Sequence, residues 1–133
     1  MDIDKYNKLQ SYENNNQIGI DFDGVIHGNS KGFNDGTIYD PPIPGSIDSI
    51  KKLYNQGYTL ILFTAKVKPG RPLINGKTGE ELIWEWLDKY NLSSYFKEIT
   101  CEKPRAIVII DDRCIRFESW EQTLKQLNEI TNK

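Results

Sequence analysis

The chain has little of what a metal cage, a disulfide framework or a membrane span is built from. Of its 133 residues two are cysteine and one is histidine. Cys101 and Cys114 stand in no CxxC spacing, and the lone His27 adds too few soft ligands for a zinc site. Free reduced thiols and a cytoplasmic location are the expectation. The apolar runs are short, "AIVII" at 106–110 being typical, whereas a membrane helix needs roughly 20 such residues. The N-terminus, "MDIDKYNKLQSYENNN", is polar rather than signal-like. An excess of charge of either sign is also missing: 17 basic residues against 19 acidic leave a net charge of -2. Nothing global therefore calls for a membrane surface or a nucleic-acid backbone as partner.

What is there describes an ordinary globular chain, with 38% hydrophobic and 27% charged residues. Residues 1–16 read as a polar lead-in and 17–133 as a single domain. Short apolar runs, "IGIDF", "YTLILF" at 58–63 and "AIVII", alternate with segments of helical period, with "KEIT" at 97–100 a weaker strand. That alternation predicts an α/β fold with parallel strands and crossover helices. "PGSIDSIKKLYNQG" sets Ile47, Ile50, Leu53 and Tyr54 on one face before Gly57. "TGEELIWEWLDKY" opens with a capping box, Thr78 with Glu81, and aligns Ile83, Trp86, Leu87 and Tyr90. "SWEQTLKQLNEI" repeats the device with Ser119 and Gln122, and its Trp120, Leu124 and Leu127 are expected to pack. Trp84, Trp86 and Trp120 all read as core or rim residues. Residues 24–44 hold too many Gly and Pro for a helix and read as a hairpin-like flap; 65–76 reads as a basic, Pro-rich loop.

The chemistry gathers where apolar runs end. "QIGIDFDGVIHG" passes from Ile18 and Ile20 into Asp21 and Asp23; "LILF" ends at Thr64; "IVII" ends at Asp111 and Asp112. In an open parallel sheet the C-terminal ends of the strands share one edge, where ligands bind near the point at which strand order reverses. Four carboxylates are thereby expected to converge, and their repulsion is tolerable if a cation sits among them. Oxygen ligands without a soft partner point to Mg2+. Lys103, Arg105 and Arg113 lie near the same acids in sequence and would complement an anion, with phosphate the natural candidate.

The ordered set DFDGV, FTA, EKP and an apolar strand ending in DD resembles the four motifs of the haloacid dehalogenase (HAD) superfamily of phosphatases and phosphotransferases, over residues 17–117. A lone DxD is common by chance; four motifs in order at successive strand ends are specific. The resemblance implies a three-layer Rossmannoid fold, with helices on both faces of a parallel sheet and the small flap in place of a cap domain. It implies Asp21 as nucleophile, forming an aspartyl-phosphate, and Asp23 as general acid/base. Thr64 and Ala65 would bind a phosphoryl oxygen, and Lys103 would neutralise the transferring group. Mg2+ would be held by the Asp21 carboxylate, the Asp23 backbone carbonyl and the 111/112 pair. Adjacent strand residues point apart, so both are not expected to reach the ion directly; the resemblance, in whose other members this strand ends in Gly-Asp, implies Asp112 as the direct ligand and Asp111 as a water-mediated or hydrogen-bonding neighbour. The expected activity is Mg2+-dependent hydrolysis of a phosphomonoester, with a nucleotide or a nucleic-acid terminal phosphate as the leading substrate. The alternatives are a small-metabolite phosphatase and a non-catalytic module that binds Mg2+ and phosphate. The link from "KEIT" to "AIVII" is too short for the crossover helix of many HAD members.

Blander readings stand beside these. Two aspartates at a strand end also suit a turn in which they cap backbone N–H groups. His27 reads as a surface histidine of the flap, with a substrate contact as the alternative. Lys66, Lys68 and Arg71 read as a solvated basic loop, with a contact to substrate phosphate or nucleic acid as the alternative. "GKT" at 76–78 resembles a P-loop ending, but Gly70 and Gly76 enclose five residues where that motif has four, so it reads as a turn and helix cap.

Overall fold

The computed structural model describes residues 15–132; most of the polar lead-in, residues 1–14, lies outside them. The elements run β1 Gln17–Asp21, α1 Ser46–Asn55, β2 Thr59–Phe63, α2 Gly79–Lys89, β3 Phe96–Thr100, β4 Val108–Ile110 and α3 Trp120–Thr131. The four strands form one parallel sheet in the order β3-β2-β1-β4. The chain steps outward from β1 to β3 and then returns to the far side of β1, so the reversal of strand order falls between β1 and β4. This is an α/β fold of Rossmann-like kind. No helix among the described residues is long and apolar enough to cross a membrane.

Pairing fixes which side chains share a face. Ile18 lies beside Leu60 and Val108, and Ile20 beside Leu62 and Ile110. On this face Ile18, Ile20, Leu60 and Leu62 form one cluster with Ile50 of α1 and with Ile83, Trp86 and Leu87 of α2. Helix α2 starts at the predicted capping box: the Glu81 N–H donates to Thr78 Oγ1 at 3.1 Å and the Thr78 N–H to Glu81 Oε1 at 3.2 Å. Trp86 donates its indole N–H to the Asp40 carbonyl at 2.9 Å, tying the helix to the segment the sequence marks as a flap.

The opposite face is covered differently. Residues 101–107 pass from β3 to β4 without a helix, as the short link requires, and Pro104 lies against Gly19 of the central strand. One expectation fails at this end of the sheet. Helices were expected on both faces, yet α1 and α2 join the same cluster and α3 keeps its apolar stripe exposed, with Trp120 set edge-on to Phe117. Trp120 is 69% exposed, and Leu124, Leu127 and Ile130 are exposed too. "AIVII" reads as a strand, of which Val108–Ile110 form β4, and Val108 is 47% exposed. The periodicity of α3 is amphipathic as read; periodicity says that a face is apolar and not that a neighbour is present.

The flap is also built otherwise than as a hairpin. Its neck is closed by the Ile43 N–H donating to the Ile26 carbonyl at 2.8 Å and by a bridge between His27 and Pro42. Between them runs a loop of turns, with Asn29, Gly32, Asn34 and Gly36 at positive φ. Its own side chains fold it: Tyr39 Oη accepts from the Lys31 N–H and donates to the Gly32 carbonyl, and Asp40 Oδ2 accepts from the Ser30 N–H.

Candidate active site

Three carboxylates meet at the C-terminal edge of the sheet. Asp21 is the last residue of β1, and Asp111 and Asp112 follow β4, the strand paired with β1 at the reversal of order. Each offers one oxygen, and these lie within 4.8 Å of one another. Asp112 was expected as the direct ligand of an ion, with Asp111 beside it in a water-mediated or hydrogen-bonding role. Both arrive, because β4 ends at Ile110 and the pair lies in the turn beyond it, where alternation no longer applies. Asp111 Oδ1 also accepts from the Arg113 N–H at 3.0 Å, which fixes that turn. Gly24 has φ +85°, and a Cβ there would collide with the Asp112 carboxylate. The glycine after the second aspartate is thus what lets the two ends of the site close.

This crowding has an electrostatic sign. Burial first, then the charge of Asp111, then the contact with Asp112, push the Asp21 carboxyl up from its ordinary 3.8 to about 7. A divalent cation placed among the three would cancel the repulsion and restore the ionised form. The donor set is all oxygen, the choice of a hard ion such as Mg2+, and so fits one. Cys114, beside Asp111, has its thiol pushed up by desolvation and by the same acids.

Asp23 stands in the same cleft, of about 520 Å³, and both its oxygens are engaged. His27 Nδ1 lies 2.8 Å from Oδ1, and Lys66 Nζ lies 3.4 Å from Oδ2. His27 is not on the surface: it is 0% exposed, stacked on Phe22 and edge-on to Trp86 and Tyr39. The Asp40 N–H donates to its Nε2 at 3.1 Å, so Nε2 carries the lone pair and Nδ1 the hydrogen given to Asp23. The surface reading failed because a histidine with apolar neighbours on three sides and a polar partner at each nitrogen is stable inside.

Thr64 is buried at the end of β2, its N–H donating to the Thr100 carbonyl at 2.9 Å. Its Oγ1 accepts from the Lys66 N–H at 3.2 Å and caps the single turn Ala65–Val67. Ala65, Lys66, Lys68, Arg71 and Arg113 border the cleft. Two expected cations do not. Lys103 is exposed and outside the lining of the cleft. The Arg105 carbonyl accepts from the Gln17 side chain at 3.0 Å, which puts this backbone at the N-terminal end of β1, across the sheet from the acids. Among the described residues the cation that pairs with a site carboxylate is Lys66, expected in a solvated loop with a contact to substrate phosphate as the alternative. Asn29, Phe33 and Cys101 also line the cleft and were not foreseen.

Comparison of the chain with family models, with curated proteins and with solved structures found no match.

Proposed function

We propose that this chain is a Mg2+-dependent phosphomonoesterase of the HAD type, working through an aspartyl-phosphate on Asp21. The observation that carries the reading is the convergence of Asp21, Asp111 and Asp112 within 4.8 Å, with Asp23 in the same cleft. Asp21, Asp111 and Asp112 would hold the ion. When bound it supplies neutralisation of the carboxylates and of the phosphoryl oxygens.

The chain's own groups do the rest. An Asp21 oxygen attacks phosphorus while the ester P–O bond breaks, and the departing oxygen takes a proton from Asp23. Asp23, now ionised, takes a proton from a water, whose oxygen attacks the phosphorus of the acyl phosphate. The P–O bond to Asp21 breaks, releasing phosphate and the free carboxylate. The His27 N–H holds Asp23 Oδ1 through both steps, and Lys66 pairs with Oδ2 when Asp23 is ionised, after its proton has gone to the departing oxygen. Thr64 keeps its hydroxyl hydrogen for a phosphoryl oxygen, because its lone pair already receives the Lys66 N–H. Lys66 takes the charge-balancing part first expected of Lys103.

The test is phosphate release from p-nitrophenyl phosphate with and without Mg2+. Activity is expected only with the ion, and Asp21→Asn is expected to lower kcat by at least about 1,000-fold. Unchanged turnover in Asp21→Asn would remove the covalent step. Mg2+ binding without turnover of any phosphomonoester would leave a binding module in place of an enzyme.

A further inference from the structure

A second hollow adjoins the acid cleft. It measures about 600 Å³, within the roughly 300–1,000 Å³ of sites that enclose small organic ligands. Its walls are Phe33, Ile38, Pro72, Ile74 and Leu82, drawn from the flap, the loop after β2 and the first turn of α2. The hollow and the acid cleft share Phe33, Lys66 and Arg71. Lys66 is also the partner of Asp23, so one side chain stands at the boundary between the two spaces. Phe33 is 60% exposed, with Lys66 Nζ 5.5 Å from its ring centre. Gly36 lies at φ +84° against the Ile74 side chain, and a Cβ there would collide with Ile74 and crowd Phe33. The flap backbone is thus held close enough to shape one wall.

We propose that this hollow is the subsite for the organic part of the substrate, and that the part it takes is a flat ring system, a nucleobase or an aryl group, rather than a polyhydroxylated sugar. The proposal rests on the phosphatase reading for what sits in the neighbouring cleft. Apolar walls with an accessible aromatic face favour a ring that stacks on Phe33 and gives up little hydration. A sugar in the same place would leave its hydroxyls without partners along Ile38, Pro72, Ile74 and Leu82. The two cations shared with the cleft, Lys66 and Arg71, lie where the ring and the phosphate would join, and Asp35 at the rim offers an acceptor to a ring N–H.

The test compares kcat/KM for adenosine 5'-monophosphate, p-nitrophenyl phosphate, glucose 6-phosphate and acetyl phosphate, whose organic part is too small to use the hollow. The ring substrates are expected to exceed glucose 6-phosphate at least tenfold. Leu82→Trp, which fills the hollow, is expected to lower kcat/KM for the ring substrates at least tenfold more than for acetyl phosphate. Of the two ring substrates, the one that loses more identifies the ring. A preference for glucose 6-phosphate, or an equal loss on all four substrates, would overturn the subsite. If no substrate turns over, the phosphatase reading fails and calorimetry decides the subsite by itself. Adenosine 5'-monophosphate binding at least tenfold tighter than inorganic phosphate, and lost in both Leu82→Trp and Ile74→Asp, would uphold it; equal binding of the two would end it.

Discussion

Ile20 and Ile110 are neighbours across one pair of strands and point to the same face, yet Ile20 is buried and Ile110 is 40% exposed. The difference divides the molecule. On the β1–β2–β3 side two helices cover the sheet, and Ile83, Leu87 and Leu92 are fully enclosed. On the β4 side the strand is three residues long, no described helix covers its face, and α3 keeps its own apolar stripe in solvent. Hydrogen-bonded pairing places β4, whereas burial secures β1 to β3. The acid cluster lies across the division, with Asp21 from the covered side and Asp111 and Asp112 from the open one. An ion among them would join the two sides by bonds that neither core supplies.

The strongest way to test that division is to damage the covered side. Leu87→Ala leaves a cavity in a fully enclosed position and is expected to cost about 2–5 kcal/mol of unfolding free energy, read from urea titrations. A loss below about 1 kcal/mol would mean that α2 is not the support it looks to be.

The seam comes next. With the pKa of Asp21 raised to about 7 in the folded chain against 3.8 ordinarily, the folded state binds this proton more tightly than the unfolded one. Its contribution to stability is whole below about pH 4 and is lost as pH rises through about 7. In the absence of Mg2+ this group is therefore expected to lower the thermal midpoint over that interval, and Asp21→Asn to flatten the decline. Saturating Mg2+ is expected to raise the midpoint most at the upper end, where the carboxylates are ionised. A Mg2+ shift that is the same at both ends would separate the ion from Asp21.

The smallest effect belongs to the open side. Leu127→Ala on α3 removes a side chain that is already in solvent and is expected to change stability by no more than about 0.5 kcal/mol. A cost like that of Leu87→Ala would show that α3 is covered in solution, by β4 or by another chain.

The sheet was legible because the apolar runs are short, β-branched and bounded by turn residues, and α2 because Thr78 and Glu81 mark its first turn. The convergence of Asp21 with the 111/112 pair was legible from topology, since strand ends share an edge. Other features depended on distances that a linear reading does not carry. His27 is enclosed by residues from three separate segments, Phe22, Tyr39 and Trp86. Lys66 reaches Asp23 because Thr64 caps the turn that aims it. Lys103, only two residues past Cys101 of the cleft lining, stays outside it as the link turns toward Pro104 and Gly19.

One arrangement bears on how a ligand comes and goes. His27 is anchored in the core by its stacking on Phe22, grips Asp23 with one nitrogen and the backbone of Asp40 with the other. The base of the overhanging loop and the proposed proton carrier are therefore riveted to a single ring. Swinging the whole overhang aside would drag Asp23 out of register, so traffic has to pass over its tip, around Phe33, with the base standing still.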